Sequence, residues 1–270
     1  MLDRLLKLSI SILFFIFYQC VILICYIQKK QLPGTLVILT YHSVKLEQVL
    51  KFERQMDMIL KKSYPVFADI EGPLDKGQNY AAVTFDDGFQ SVLKNAIPKM
   101  RERKIPATIF IPSGYFGKRP GWINNTNHED ANEIVMTKEQ VKNLPDDLIK
   151  IGSHCVTHPH LTKLEEKEAR MELVESKKSL ERILKKNINL LSFPHGAYNQ
   201  QVIEWSREAG YRRVFSNIPT FPTSKIDRFL IGRIGVSPDD WFIEYGLKLL
   251  GAYQWLPYAV ALKRKLRNND

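Results

Sequence analysis

Seven short runs of strand-forming residues alternate with helix-like patterns, and this alternation most restricts the folds open to the 270-residue chain. The expected strands cover 35–40, 81–85, 107–112, 148–152, 190–193, 212–216 and 229–236, with helices over 47–62, 89–104, 137–143, 163–186 and 200–209. Such alternation implies an α/β fold with a parallel sheet. Seven repeats suggest a barrel, complete or not, and an open doubly wound sheet is the alternative. Gly210 is placed as a helix C-cap, and Thr162 with Glu165 has the spacing of a capping box for the long fourth helix.

The ends of the chain have a different character. Residues 8–27 contain no charged side chain, and twenty residues at about 1.5 Å each match a bilayer core. The stretch closes on Cys25-Tyr26-Ile27-Gln28-Lys29-Lys30, bulky and then basic, which favours an uncleaved transmembrane helix over a cleaved signal peptide. Basic residues flank both sides, so charge does not settle orientation. Residues 241–262 are apolar and aromatic but interrupted by Glu244, Lys248 and Pro257, then followed by Lys263-Arg264-Lys265-Leu266-Arg267. That pattern suits either an amphipathic segment in a membrane interface or a terminal helix packed on the barrel. Much of the formal charge of +10 lies in these two ends, and no nucleic-acid-binding signature accompanies it. The expected layout is an anchor over 1–30, a catalytic domain over 31–240 and a basic amphipathic segment over 241–270. Cys20, Cys25 and Cys155 form no disulfide framework and leave the compartment open.

Chemistry gathers where expected strands end. Ala81-Ala82-Val83-Thr84-Phe85 runs directly into Asp86-Asp87-Gly88. Neighbouring carboxylates repel and resist burial, so the pair makes sense around a cation, although Asp-Asp-Gly alone also reads as a turn. A further strand ends in Gly152-Ser153-His154-Cys155-Val156-Thr157-His158-Pro159-His160. Its histidines four apart could share one side of a turn and, with a carboxylate, hold Zn²⁺ with a position open. In a parallel barrel these exits share one face, where such folds carry catalysis. His160 falls off that side and reads as support or packing. Two further exits carry Phe193-Pro194-His195-Gly196 and Tyr41-His42. Tyr115, Phe116 and Trp122 lie in a loop after the third strand and could stack on sugar rings or seal the barrel top.

Thr84-Phe85-Asp86-Asp87-Gly88, the His154/His158 pair and Phe193-Pro194-His195-Gly196 together resemble the ordered motifs of the polysaccharide deacetylase family (carbohydrate esterase family 4, the NodB-homology domain) over about residues 34–236. Tyr41-His42 resembles the branch that includes poly-N-acetylglucosamine deacetylases. The resemblance implies a distorted seven-stranded (β/α) barrel that hydrolyses an N-acetyl group on an amino sugar. It makes Asp87, His154 and His158 the ligands of a divalent metal, most plausibly Zn²⁺, and Asp86 the general base. It gives the His195 backbone N–H to the oxyanion and makes His42 the acid for the leaving amine.

Two departures accompany it. Ser192 stands where the family often has an arginine that orients the catalytic Asp, and Arg233 on the last strand is the candidate replacement. The late Leu-x-His motif is also missing, since the last strand reads Leu230-Ile231-Gly232-Arg233-Ile234-Gly235-Val236. The leading expectation is a membrane-anchored metal-dependent N-deacetylase of an amino-sugar polysaccharide or its precursor, with its domain on the extracytoplasmic side. The expected partners are an N-acetylated glycan and membrane lipid, with no nucleic acid. A deacetylase or deformylase of a lipid-linked sugar, and a catalytically inactive carbohydrate-binding protein, are the alternatives.

Overall fold

A computed structural model describes residues 2–219 and 229–259, so the basic run at 263–267 lies outside the described residues. The strands are β1 (Thr35–Tyr41), β2 (Tyr64–Val66), β3 (Asn79–Phe85), β4 (Ala107–Ile111), β5 (Ile149–Ser153), β6 (Leu190–Ser192), β7 (Arg213–Ser216), β8 (Leu230–Gly232) and β9 (Ile234–Gly235). The helices are α1 (Leu2–Ile27), α2 (Val49–Lys62), α3 (Ile97–Glu102), α4 (Lys138–Lys142), α5 (Glu166–Leu184), α6 (Gln200–Glu208) and α7 (Phe242–Leu249).

All strand pairs in the sheet are parallel, in the order β8-β7-β6-β5-β4-β3-β1-β9. β8 and β9 are two halves of the expected last strand, interrupted only at Arg233. The first half pairs with β7 and the second with β1, so this one broken segment joins the two ends of the sheet. The Arg233 N–H donates to the Ser216 carbonyl and the Val236 N–H to the Thr40 carbonyl, one bond to each neighbour. The result is a seven-stranded barrel, distorted at its closure. β2 lies off this ring. It pairs with the first half of β3, whose second half pairs with β4.

Period-two alternation sorts the side chains. In β1 and β3, Val37, Leu39, Tyr41, Ala81, Val83 and Phe85 face the main core under the helices. Leu36, Ile38, Tyr80 and Ala82 face the second cluster with Phe110, Phe215 and Ile231, which fills the barrel.

Several boundaries differ from expectation. The 89–104 helix is a widened π turn over Val92–Ala96 followed by α3, because Pro98 has no N–H to return to the preceding turn. The Thr162/Glu165 capping box does not form. Leu161–Lys163 makes its own 3-10 turn, Leu164 is extended, and α5 starts at Glu166 with Glu165 as an N-cap that accepts no side-chain bond. Gly210 does follow α6 at φ +83°. β2, three residues long, was not anticipated.

α1 is long and apolar enough to cross a membrane, by length and composition that an anchor, a signal sequence and a core helix share. Here it lies along the domain. Leu8 and Ser11 are buried, Arg4 donates to Glu244 at 2.7 Å, and the Trp255 indole N–H donates to Ser11 Oγ at 2.9 Å. α7 packs against α2 and α1, with Tyr245, Leu247 and Leu249 in the main core, while Phe242, Ile243 and Tyr258 of the same stretch are exposed.

Candidate active site and metal centre

The inward row of β3 runs Tyr80, Ala82, Thr84, and the next position in period two is Asp86. Asp86 is therefore delivered to the barrel mouth with its side chain 1% exposed. Asp87 would point away if the strand continued. Instead it adopts a left-handed conformation at φ +66°, followed by Gly88 at φ +61°, and the chain turns. A Cβ on Gly88 would come 2.9 Å from the Ile111 side chain, so glycine is needed for space as well.

Asp87 ends beside the two histidines. Its Oδ1 is 3.3 Å from His158 Nε2 and 3.6 Å from His154 Nε2, and all three residues are buried. The candidate ligand atoms lie within 4.8 Å of one another. His154 Nδ1 pairs with the Ser192 carbonyl at 2.8 Å, which makes it the protonated nitrogen and turns the Nε2 lone pair inward. Asp87 Oδ1 is buried without a hydrogen-bond partner. An orphaned carboxylate oxygen facing two imidazole nitrogens is the donor set of a divalent cation with His₂-carboxylate ligation. These residues fit such a group.

The loop between the histidines is strained and braced. Cys155 and His158 both have positive φ, at +63° and +60°. Glu172 of α5 accepts from the Val156 and Thr157 N–H groups at 2.7 and 2.9 Å and from the Thr157 hydroxyl at 2.7 Å. Ser176, one turn on, donates to the Cys155 carbonyl at 2.8 Å. Burial, and then Glu172, raise the Cys155 thiol well above its ordinary value, so it is a packed spacer.

Arg233 enters from the broken closing strand. Fully buried, it grips Asp86 with both terminal nitrogens, Nη1 to Oδ1 and Nη2 to Oδ2, each at 2.7 Å. It also donates to Thr84 Oγ1, Ser192 Oγ and Asn217 Oδ1, and lies over the Phe110 and Phe215 rings. The small Ser192 side chain leaves room for the guanidinium and donates to Asp86 Oδ2 at 3.2 Å.

Charge divides unequally across the Asp pair. Burial works against the Asp86 charge, but Arg233, with His154, outweighs it and holds the carboxyl well below the usual carboxylate range. Burial, then Asp86 and Asp130, raise Asp87 well above its ordinary value. Burial pushes His154 down to about 4 and, with His154 and His195 nearby, pushes His158 lower still. Both histidines are thus neutral, as ligands must be.

The remaining expected residues meet at the same mouth. A cavity of about 460 Å³ is lined by Asp86, Asp87, His154 and His158 together with His42, His195 and Trp122. His195 has φ +58° and is exposed, and its ring stacks on His160 at 3.7 Å between centroids. Tyr41 turns away, donating to Gln55 and meeting the Tyr245 hydroxyl in the core under α7. Trp122 stacks on His158 at 4.3 Å, and Tyr115 meets Trp122 edge-on. These aromatics therefore cover the histidine side of the mouth.

Comparison with known proteins places this arrangement. The sequence profile described as polysaccharide deacetylase matches residues 74–214, more than half of the chain. The chain belongs to the polysaccharide deacetylase family. Among its relatives is YxkH of Bacillus subtilis (strain 168), a candidate polysaccharide deacetylase by name. It is 27% identical over 221 residues, covering 78% of this chain and 74% of that one. The poly-beta-1,6-N-acetyl-D-glucosamine N-deacetylase of Staphylococcus aureus (strain MRSA252) is 27% identical over 170 residues, covering 58% of this chain and 54% of that one. The match thus spans only about half of that relative. The solved structure of IcaB from Ammonifex degensii superposes with a TM-score of 0.67 at 22% identity, covering 83% of this chain and 98% of that one. At that identity it speaks for the fold.

Among the site-lining and bracing residues that were not anticipated are Asp130, Asn217 and Glu172. Asn217 follows β7 as Asp86 follows β3, so a polar residue at a strand exit was a usable signal. Glu172 sits among the buried positions Ala169, Leu173, Ser176 and Leu180 of α5, and an acid on a core face was the other. Asp130, whose Oδ1 accepts from Ser43, lies in a loop without periodic pattern and gave no signal.

Proposed function

We propose that this chain is a metal-dependent N-deacetylase of an amino-sugar polysaccharide of the poly-N-acetylglucosamine kind. The observation that carries the reading is the orphaned Asp87 oxygen between two neutral histidines, beside a second Asp kept ionised by Arg233. Asp87, His154 and His158 would hold the cation, for which Zn²⁺ suits the ligand set. When bound, it supplies Lewis-acid polarisation of the amide carbonyl and acidifies a water.

The chain's own groups do the rest. Asp86, ionised and fixed by Arg233, accepts the proton of the attacking water. The His195 N–H donates to the oxyanion as the water oxygen joins the acyl carbon, an interaction that can be worth about 3 kcal/mol of barrier. His42 gives a proton to the nitrogen as the C–N bond breaks, leaving acetate and a free amine. The proposed layout is an anchor over 1–30, a catalytic domain over 31–240 and an amphipathic basic C-terminal segment over 241–270. The chain is proposed to attach to a membrane through α1, with the domain on the extracytoplasmic side.

The test is amine release from a short N-acetylglucosamine oligomer by the full chain in detergent, with chelator and Zn²⁺ add-back. Release that chelator stops and metal restores supports the reading. Absence of release with one equivalent of metal bound would refute the substrate and favour a lipid-linked sugar. Absence of both would refute the enzyme.

A further inference from the structure

On the flank of the barrel, α1, α2 and α7 enclose an open groove of about 530 Å³. Its walls are Phe15 of α1, Met58 of α2 and Phe242, Ile243, Leu247 and Leu250 at α7, almost wholly apolar. Gly246 forms part of the lining, and a Cβ there would make an ordinary 3.5 Å contact with the Met58 sulfur. Phe242 is 75% exposed and Ile243 54%, a large apolar surface for a helix otherwise packed in the core.

The edge of the groove is cationic. Arg54, Lys61 and Lys62 line it and are exposed, their side chains making no hydrogen bond or close salt bridge among the described residues, with Lys61 only attracting the Asp57 carboxylate through space. The acid among them, Asp57, is engaged by Arg103 at 2.6 Å. The groove adjoins α1, whose outward side chains Leu6, Leu13, Phe17 and Ile24 are exposed and apolar.

Apolar walls, a rim with three cations to one acid and continuity with a bilayer-length apolar helix fit one ligand chemistry. We infer that the groove seats an acyl chain of an anionic membrane phospholipid, with its phosphate at Arg54, Lys61 and Lys62. An acidic amphipathic protein segment would satisfy the rim equally. It would not account for the outward face of α1, which continues the same apolar surface and itself needs lipid. This lipid site lies away from the barrel mouth and does not depend on the deacetylase reading.

The experiment follows tryptophan quenching in the full chain, in non-ionic detergent, by phospholipids brominated on the acyl chain. Trp241 is next to Phe242 and serves as reporter, with Trp241→Phe giving the background. Brominated phosphatidylglycerol is expected to quench at about tenfold lower concentration than the phosphatidylcholine analogue. Arg54→Glu/Lys61→Glu/Lys62→Glu should erase that preference. Gly246→Leu, which fills the groove but leaves the rim charge, should weaken quenching by both lipids about fivefold with an unchanged melting temperature. Equal quenching in wild type and Gly246→Leu would overturn the site, leaving lipid only on the outer face of α1. Equal response to the two headgroups in wild type would overturn the role of the rim. Binding of an acidic helical peptide with the same rim dependence, and no lipid quenching, would replace the lipid by a protein partner.

Discussion

Replacing Arg233 with methionine removes the guanidinium while keeping most of the side-chain volume, and its consequences can be worked from the structure. Arg233 is fully buried and bidentate to Asp86, so the variant leaves a buried carboxylate facing only Ser192 among its former partners. Breaking one side of a buried pair costs about 3–5 kcal/mol. For a domain of this size, that is a fall in melting temperature of about 6–20 °C. The same energy also appears in protonation. Burial is the largest influence on Asp86 and raises its pKa, and Arg233 is the largest one opposing it. Without Arg233, the acid limb of the pH–rate profile should move upward by about 2–4 pH units. Since the limb starts below the carboxylate range, most Asp86 stays ionised at pH 7. The rate there should fall about 10- to 100-fold through lost orientation, and further at pH 5. Metal should still bind at saturating concentration, because Arg233 grips Asp86 and not Asp87, although losing its charge raises Asp87 and weakens the affinity. Arg233→Lys separates charge from geometry. It should restore part of the acid limb but not the rate, since an ammonium is a point charge rather than a fork. The assay is amine release from pH 4 to 9 beside metal analysis and thermal melting. A wild-type profile in Arg233→Met would refute the argument that this residue sets the state of Asp86.

Asp86→Asn is expected to cut turnover by about 10²–10⁴-fold with metal retained, whereas His154→Ala should lose the metal, both read by activity and metal stoichiometry. His42→Ala should lower turnover strongly with little change in metal affinity, and a wild-type rate would place the acid elsewhere. Glu172→Ala leaves the Val156 and Thr157 N–H groups unpaired under a strained loop, so metal affinity should drop about 10- to 100-fold, measured by competition with a chromogenic chelator. Metal affinity should also follow pH with a particular slope. Both histidines are neutral above about pH 4, so they release no proton on binding, whereas Asp87, raised by burial and by Asp86, must give one up. Affinity should therefore rise with pH by one proton's slope, through the range in which Asp87 titrates, and then level off. A two-proton slope centred near pH 6.5 would show ordinary histidines and contradict the buried-site account.

The ring of strands was legible because each one sits inside a strand–helix repeat, and the pattern reads locally. The Asp pair and the histidine pair were legible for a related reason, since period two carries a motif at a strand exit to the mouth of a parallel barrel. What stayed hidden depends on contacts between distant segments. The break at Arg233 is invisible in Leu230–Val236, an uninterrupted strand pattern, because it arises from one segment having to pair with β7 on one side and β1 on the other. β2 is held by β3, not by its own three residues. The π turn before α3 was readable in principle from Pro98. The docking of α1 was not, because an apolar twenty-residue run looks the same whether or not Arg4 finds Glu244.

Ser192 departs from the family pattern, and the geometry joins it to Arg233 on the broken closing strand. Period two from Ile231 points the Arg233 side chain into the barrel, where it crosses the mouth to Asp86 while its N–H bonds to Ser216. The crossing needs space on the opposite wall, and Ser192 provides it, while its hydroxyl still bonds to both partners. Returning an arginine to position 192 without removing Arg233 would place two guanidinium groups against one carboxylate and bury an unmatched positive charge. The serine and the closing arginine are therefore best understood as one solution. Its physical content is a buried Asp86 kept ionised from the seam of the barrel.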